Sequence, residues 1–262
     1  MVSLKLGGSL ITEKERARTA RREVIARLAD EIAASREARD EAILLGHGSG
    51  SYGHPPAARW RLREGLGAEG AVHGVALTQA RAAELHGIVL EGLREAGVPA
   101  FSVSPSSAAV AEDGRLRSFP AEAVALALDR GLLPVVYGDV VMDRSRGVTI
   151  CSTEEVLERL SEVLPEHGWQ VDRALWMGDT EGVYDGRGRV LPELDAADPV
   201  PGAVGPARAT DVTGGMAHRV EIALRMAARG IPSWIGDGLR PGALERALRG
   251  DPEGGTRIAT GA

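Results

Sequence analysis

The sequence predicts an α/β fold in which a mostly parallel sheet is covered by helices on both faces. Short apolar runs typical of strands alternate with longer stretches in which apolar residues recur at helical spacing. This alternation indicates successive strand–helix–strand units and argues against an all-β protein. With 262 residues the chain can bury a full core. It is interpreted as one domain, residues 1–262, with two tightly joined lobes that meet near residue 168 (about 1–168 and 169–262).

The first part of the chain places two strands directly before glycine-rich sequence. Strands are predicted over 2–6 and 42–45, and an amphipathic helix over 21–35. We expect the chain to leave regular structure at the proline pair 55–56, because proline lacks the backbone N–H of a helix interior. Residues 57–67 are interpreted as an exposed flap or a short helix.

The rest of the chain repeats the same alternation, with a hairpin predicted over 140–150 and irregular surface over 186–205. Helices are predicted over 69–96, 120–129, 153–164, 218–229 and 241–248, and strands over 98–103, 134–137, 174–177, 231–235 and 256–259.

Composition excludes several classes of function. The formal net charge of −6 argues against a nucleic-acid partner, because a phosphate backbone requires a basic surface. An anionic small molecule stays compatible, since the charge inside a cleft can oppose the net charge. The apolar runs are too short for a membrane span. A single cysteine, Cys151, and the lack of a signal-peptide pattern predict a cytoplasmic protein.

Three glycine-rich turns point to phosphate binding. They lie at residues 7–9 and 46–54, after predicted strands, and at 213–215, before a predicted helix. Glycine lets the backbone approach an oxyanion closely, and helix N-termini favour anions. The chain has only two lysines, Lys5 and Lys14, and both are close to the first turn.

Other sites built from these residue types fit less well. The P-loop pattern and the dinucleotide-binding glycine pattern are both missing from the sequence. A zinc site is disfavoured because His47 and His54 are seven residues apart and Cys151 is alone. A serine hydrolase is disfavoured because the serines at 49 and 51 do not match the nucleophile-elbow frame.

Six motifs, in order, resemble the amino acid kinase superfamily. They occupy residues 5–14, 47–55, 104–106, 134–141, 179–184 and 211–216, so the likeness spans nearly the whole chain. Within the superfamily the sequence is most similar to the isopentenyl phosphate kinases, and the histidine at position 54 is the specific mark. The resemblance implies an open α/β/α sandwich, a homodimer, and transfer of the ATP γ-phosphate to isopentenyl phosphate in isoprene biosynthesis.

The same resemblance assigns the candidate site residues. The catalytic residues would be Lys5, Lys14 and His54. Lys14 would neutralise the phosphoryl group during transfer, and His54 would hold the acceptor phosphate in line for attack. The acceptor pocket would be formed by Ser49, Gly50, His54 and Gly138. The nucleotide would be bound by Lys5, Gly7, Gly8, Ser9, Gly50, Asp179, Gly214, Gly215 and Arg219. Mg²⁺ is expected with ATP, although no residue is assigned as its ligand.

Two departures from the family pattern leave alternatives open. Arg219 stands where the family usually has a lysine, and Thr153-Glu154 replaces a usual Gly-Asp. Arginine and lysine are not equivalent at a phosphate. A kinase of a small phosphonate, similar to the fosfomycin kinases, and a non-catalytic nucleotide-binding protein therefore stay as alternatives.

Each candidate also has a purely structural interpretation. Lys5 and Lys14 could be solvated lysines, His54 a turn residue, and Asp139 a loop cap. His47 is interpreted as structural. His73, His86 and His167 are expected to face solvent, and the four tryptophans are expected to pack in the interior.

Overall fold

The computed structural model describes residues 1–195 and 215–261. Strands and helices alternate along most of this part of the chain. The strands are β1 (Val2–Leu6), β2 (Ile43–His47), β3 (Ala100–Ser102), β4 (Val110–Glu112), β5 (Arg115–Ser118), β6 (Leu133–Tyr137), β7 (Asp139–Asp143), β8 (Gly147–Cys151), β9 (Arg173–Gly178), β10 (Glu193–Asp195), β11 (Ser233–Asp237) and β12 (Thr256–Ala259).

The helices range from single turns to a helix of 25 residues. They are α1 (Gly8–Ile11), α2 (Arg22–Ala38), α3 (Gly50–Arg59), α4 (Ala71–Glu95), α5 (Pro105–Ala108), α6 (Ala121–Asp129), α7 (Thr153–Val163), α8 (Gly215–Ala227) and α9 (Ala243–Leu248), with 3₁₀ turns at Leu62–Glu64 and Leu164–His167. None of the described helices combines the length and the apolar character needed to cross a membrane.

The main sheet has eight strands in the order β10-β12-β11-β9-β1-β2-β6-β3. Among the described strands of this sheet, only the β11–β12 pair is antiparallel. β1 lies in the middle, parallel to β2 on one side and to β9 on the other. The predicted mostly parallel sheet is confirmed. The carboxyl ends of β1, β2, β6 and β9 consequently meet at one edge, where ligands bind in open parallel sheets.

Helices cover both faces of the sheet, so the fold is the predicted α/β/α sandwich. Along β2, Leu44 belongs to one buried cluster, while Ile43 and Leu45 belong to the other. The first cluster also takes the apolar faces of α6, α7 and α8, and the second takes those of α2, α4 and α9. Strands that are buried on both faces are apolar at successive positions, which explains why their sequence shows runs and little alternation.

A second, four-stranded sheet has the order β5-β4-β7-β8. Its β7–β8 hairpin confirms the one predicted over 140–150. The β4–β5 hairpin was not predicted, because its strands have only three and four residues. The available signal was the Asp113-Gly114 turn, in which both residues have positive φ, as a type I′ hairpin requires.

The prediction that residues 55–56 leave regular structure is wrong, since Pro55 and Pro56 lie inside α3. A proline at position 55 cannot donate to the carbonyl of Ser51 four residues earlier. That carbonyl instead accepts a hydrogen bond of 3.2 Å from the backbone N–H of Arg18. The helix tolerates Pro55 because a neighbouring segment supplies the hydrogen bond that this carbonyl would otherwise lack.

Two neighbouring interpretations also change. The glycine-rich stretch 46–54 consists of the end of β2, a two-residue connection and the first half of α3. In the segment 57–67, Leu62 is fully buried, so this part of the chain is anchored to the core of the small sheet. Of the stretch 186–205, predicted to be irregular, residues 193–195 form β10, and residues 196–205 lie outside the described part.

Candidate functional site

The turns after β1 and β2 touch backbone to backbone at the carboxyl edge of the main sheet. A Cβ atom added to Gly8 would lie 2.6 Å from the backbone nitrogen of Gly50. One added to Gly48 would lie 2.6 Å from the nitrogen of Gly8. Gly50 itself has a φ of +44°, which side-chain-bearing residues rarely adopt. The two turns therefore require glycine, and together they present a surface made of main chain.

The start of α3 lies within this surface. Ser49 precedes the helix and Gly50 is its first residue. The first N–H groups of a helix have no acceptor inside the helix, and the helix dipole favours an anion near them. Gly48 is held in place by its own N–H, which donates to the carbonyl of Leu6 at 2.9 Å. The next N–H groups of the helix already donate to Thr12 Oγ1 and to the Ser49 carbonyl. The N–H of Gly50 is therefore the donor of this turn that is suited to binding a phosphate oxygen.

A buried charge cluster adjoins the two turns. Lys5, in β1, forms an ion pair with Glu154, in the first turn of α7, and both side chains are about 6–7% exposed. The guanidinium Nε of Arg219, from α8, lies 3.7 Å from Glu154 Oε1. Among the described residues of this cluster, two cations face one carboxylate, so positive charge is in excess by one unit. A buried excess of positive charge favours binding of an anion.

The pKa values within the cluster reflect this balance. Burial lowers the pKa of Lys5 to about 8, and Arg219 lowers it further, while Glu154 opposes the change. Burial by itself would raise the pKa of Glu154, but Lys5 and Arg219 outweigh it and hold that pKa at about 2. Glu154 is therefore a carboxylate at neutral pH, and Lys5 is a cation that loses its proton more readily than a surface lysine.

Arg219 reaches the ends of two central strands. Cβ atoms added at Gly7 and Gly178 would lie 3.5 and 3.1 Å from its terminal nitrogens, so the guanidinium lies against both glycines. The Nε atom is buried and has no hydrogen-bond partner among the described residues. The arginine at this position departs from the family pattern. It places a planar cation at the carboxyl ends of β1 and β9.

The second departure, Thr153-Glu154, lies at the start of α7. Ser152 caps the helix, and its hydroxyl accepts from the Glu155 N–H in a capping box. Thr153 Oγ1 donates to the carbonyl of His47 at 2.7 Å. Its methyl group packs on Gly46, where an added Cβ would lie only 2.6 Å away. Threonine therefore links α7 to the end of β2, and the cap orients Glu154 toward Lys5.

Asp179 connects Ser9 and Lys14 at the other side of the β1 turn. Ser9 Oγ donates to its Oδ1 at 2.7 Å, and Lys14 Nζ lies 3.0 Å from its Oδ2. Burial would raise the pKa of Asp179, but these two partners outweigh it and lower the pKa. The structure thus brings together three predicted site residues that are as many as 170 positions apart in sequence.

The predicted acceptor residues lie on α3 and at the end of β6. His54 is an exposed residue of α3, four positions after Gly50. The N–H of Gly138 donates to the His47 carbonyl at 3.1 Å. Asp139, which follows, is buried, and burial raises its pKa to about 6. Its Oδ1 accepts from the Val140 N–H at 2.8 Å, in keeping with the loop-cap interpretation.

Two predicted nucleotide residues are at the edge of the described part. Gly215 is the first residue of α8, and Gly214 lies outside the described residues. The contact of Glu154 with Lys5 was not predicted, because the two are 149 positions apart. The expectation for His86 is wrong, since this histidine is buried, whereas His73 and His167 are exposed as expected. Helical spacing was the available signal, because His86 follows buried Ala82 by four positions and precedes buried Val89 by three.

The sequence profile of the amino acid kinase family matches residues 2–237. The chain belongs to the amino acid kinase family. Two curated members of the family align with almost the whole chain. The isopentenyl phosphate kinase of Methanothermobacter thermautotrophicus is 34% identical, over 98% of each chain. That of Haloferax volcanii is 35% identical, over 97% of each.

A solved structure described as an isopentenyl phosphate kinase has the same fold. It superposes with a TM-score of 0.82 at 31% identity and covers 98% of this chain and 100% of its own. Within the amino acid kinase family, the relatives named here are therefore similar to this chain throughout its length.

Proposed function

We propose that this member of the amino acid kinase family transfers the γ-phosphoryl group of ATP to isopentenyl phosphate, giving isopentenyl diphosphate and ADP. A phosphate oxygen of the acceptor attacks the γ-phosphorus while the bond to the ADP oxygen breaks. The observation that carries the proposal is the buried Lys5–Glu154–Arg219 cluster, in which two cations face one carboxylate, beside two glycine turns in main-chain contact. The full-length similarity to isopentenyl phosphate kinases supports the choice of acceptor.

The nucleotide would bind over the turn that follows β1. In this proposal Lys5 and Arg219 neutralise the β- and γ-phosphates, and the backbone N–H of Gly8 donates to one of their oxygens. The N–H of Gly7 donates to the Met177 carbonyl at 2.8 Å, so Gly7 would hold the turn in place beneath the phosphates. Phosphoryl transfer depends mainly on positioning and on charge neutralisation, which is what cations and fixed N–H groups supply. Ser9 and Asp179, together with Gly214 and Gly215, would complete this side.

The acceptor phosphate would bind at the start of α3. Ser49 and the Gly50 N–H would contact it, and His54 would hydrogen-bond it from the same helix, with Gly138 at the far wall. The common location of Ser49, Gly50 and His54 on one helix end supports this assignment. Lys14 is 45% exposed and reaches Asp179, so it can move between that carboxylate and the group in transfer.

Mg²⁺ would enter with the nucleotide, bound by phosphate oxygens, and would supply further charge neutralisation. Both oxygens of Asp179 already have partners. The described residues contain no group of three or more histidine, cysteine or acidic side chains suited to a metal.

The remaining parts of the proposal concern the molecule as a whole. An acceptor-binding lobe (about 1–168) and a nucleotide-binding lobe (about 169–262) would share the main sheet, and the β1–β9 pairing across its middle supports a close joint. A homodimer in the cytoplasm is proposed with them, on the strength of the family resemblance and the low cysteine content. Sedimentation and cell fractionation test these two points.

Release of ADP, measured with ATP and Mg²⁺, tests the reaction. Isopentenyl phosphate and fosfomycin are offered in parallel, and Lys5→Met serves as the inactive control. We expect turnover with isopentenyl phosphate only. Turnover of fosfomycin alone would assign phosphonate chemistry, and ATP binding without turnover of either would contradict a kinase function.

A further inference from the structure

Two buried histidines lie directly beneath the Gly48–Gly50 turn. His47 is the last residue of β2, and its Nε2 lies 2.9 Å from Nδ1 of His86, on α4. His86 Nε2 lies 2.7 Å from the hydroxyl of Ser102, on β3. The ring of Tyr137 stacks on His86 at 4.2 Å and on His47 at 5.6 Å. These contacts form a polar chain from the edge strand of the sheet to the glycine turn.

The direction of every hydrogen bond in this chain follows from its end point. His47 Nδ1 lies 3.2 Å from the carbonyl oxygen of Gly48. A carbonyl can only accept, so Nδ1 carries the proton. Burial lowers the pKa of His47 to about 4 and that of His86 to about 3, so both rings are neutral near pH 7.

With one proton on each ring, the remaining roles are determined. Nε2 of His47 has no proton and accepts, so His86 must donate from its Nδ1. His86 Nε2 is then an acceptor, and the Ser102 hydroxyl donates to it. The hydrogen bonds therefore run in one direction: Ser102 donates to His86, His86 donates to His47, and His47 donates to the Gly48 carbonyl.

The backbone at His47 is tied down as well. Its carbonyl accepts from both the Gly138 N–H and Thr153 Oγ1. With the ring held by His86, neither the main chain nor the side chain of His47 is free to turn. The orientation of the Gly48 peptide then depends on His86, a residue of another helix.

We infer that His86 is a positioning residue, which donates from Nδ1 to His47 and thereby holds the Gly48–Gly50 turn in the orientation used for phosphate binding. Its effect on turnover rests on the proposed function. The hydrogen-bond directions do not depend on the proposed function, so an experiment can contradict the positioning role without contradicting the kinase activity.

Histidine ring spectra test the hydrogen-bond directions without any substrate. Two-bond ¹H–¹⁵N correlations, recorded at pH 7 on the wild-type chain, distinguish the two tautomers. His47 and His86 are assigned by single substitutions. We expect the proton on Nδ1 in both. A His47 ring protonated on Nε2 would overturn the inference.

Variants of His86 test the positioning role. His86→Leu removes the donor at similar size and should lower kcat about tenfold, because a buried acceptor loses its partner. The KM for ATP should change less than about twofold. His86→Asn keeps an N–H near the position of Nδ1 and should retain kcat within about threefold, together with the Nδ1–H signal of His47.

The matched control is His73→Leu, an exposed histidine on the same helix, which should leave kcat and the His47 signal unchanged. Circular dichroism verifies folding of each variant. Wild-type kcat and an unchanged His47 tautomer in folded His86→Leu would overturn the positioning role. If that variant does not fold, a kcat lowered about tenfold or more in folded His86→Asn would overturn it.

Discussion

Individual residues at this site owe their chemistry to the groups buried around them. In the sequence Lys5 is a lysine near the end of a strand. In the folded chain, burial together with the neighbouring Glu154 and Arg219 determines its pKa. The alternative that Lys5 is a solvated strand-end lysine is excluded by its 5% exposure. Lys14, by contrast, is 45% exposed and forms an ion pair with Asp179.

Lys5 gives a prediction about pH. Its pKa falls from 10.5 in the unfolded chain to about 8 in the folded one. Between pH 8 and 10.5 the unfolded chain binds more protons than the folded one. Burial of the charged Lys5 side chain therefore destabilises the folded state below pH 8, and this destabilisation disappears as the pH rises toward 10.5. For the reaction, kcat/KM for ATP should fall above about pH 8, because the free enzyme then loses the Lys5 cation.

The profile of kcat should fall only at a higher pH, because bound phosphates favour the charged form of Lys5. Steady-state rates measured from pH 6 to 10 give the pH at which kcat falls and the pH at which kcat/KM falls. Identical pH limits for kcat and kcat/KM would count against Lys5 as the group that titrates.

His54 gives the second prediction at this scale. If it holds the acceptor phosphate, His54→Ala should lower kcat/KM for isopentenyl phosphate at least about a hundredfold, since one lost charge-assisted contact to the reacting group has an effect of this size. ATP affinity, measured by calorimetry, should change less than about threefold. His73→Ala is the matched control. Unchanged turnover would remove His54 from the site.

The elements that build the site are held together by glycine contacts and by helix starts. The turn after β1 and the start of α3 approach each other so closely that neither Gly8 nor Gly50 can carry a side chain. α7 is oriented by its capping box, which sets Glu154 toward Lys5. Pro55 is accommodated in α3 because the backbone N–H of Arg18 donates a hydrogen bond to the Ser51 carbonyl, to which a proline cannot donate.

Gly8→Ala tests the packing of these two turns. The added methyl would lie 2.6 Å from the Gly50 nitrogen, so the turns must separate. We expect turnover to fall by more than about a hundredfold and ATP binding to weaken. Gly87→Ala is the control on α4, where nothing lies within 4 Å of the added atom.

That control should stabilise the protein by about 0.5–1 kcal/mol, because alanine is the better helix former. Urea unfolding and ADP release measure the two effects. A Gly8→Ala enzyme with wild-type turnover would show that the turns can separate without loss.

The whole molecule places its charge cluster at the centre of one continuous sheet. β1, which carries Lys5, is hydrogen-bonded to β2 on one side and to β9 on the other. Arg219 comes from α8, on the face opposite to α2 and α4. Ligand binding at this point should therefore stabilise both halves of the chain together.

ATP should raise the unfolding temperature in a single transition. At about a hundred times its Kd, ATP adds about 2.7 kcal/mol to the free energy of unfolding. For a chain of this size that corresponds to a shift of about 5–10 °C. Scanning calorimetry with and without ATP measures it, and Lys5→Met should show a smaller shift. Two transitions, only one of which moves, would mean that the lobes unfold independently.

Local sequence patterns were enough to predict the fold class, most of the strands and helices, and the glycine turns. These depend on periodicity and on local backbone chemistry, which are readable within a few residues. The sequence also placed Lys5, Lys14, His54 and Arg219 among the candidates through their motifs. It failed at Pro55 and Pro56, where a distant N–H from Arg18 decides the outcome, and at the short β4–β5 hairpin.

Which groups form ion pairs or hydrogen bonds with one another became evident from the folded chain alone. The pairing of Lys5 with Glu154 spans 149 positions, and that of Ser9 with Asp179 spans 170. His86 was expected in solvent and is instead bonded to His47, because α4 turns that position toward the sheet. Contacts of this kind depend on how the strands are ordered and which face each helix buries, and a local pattern carries neither.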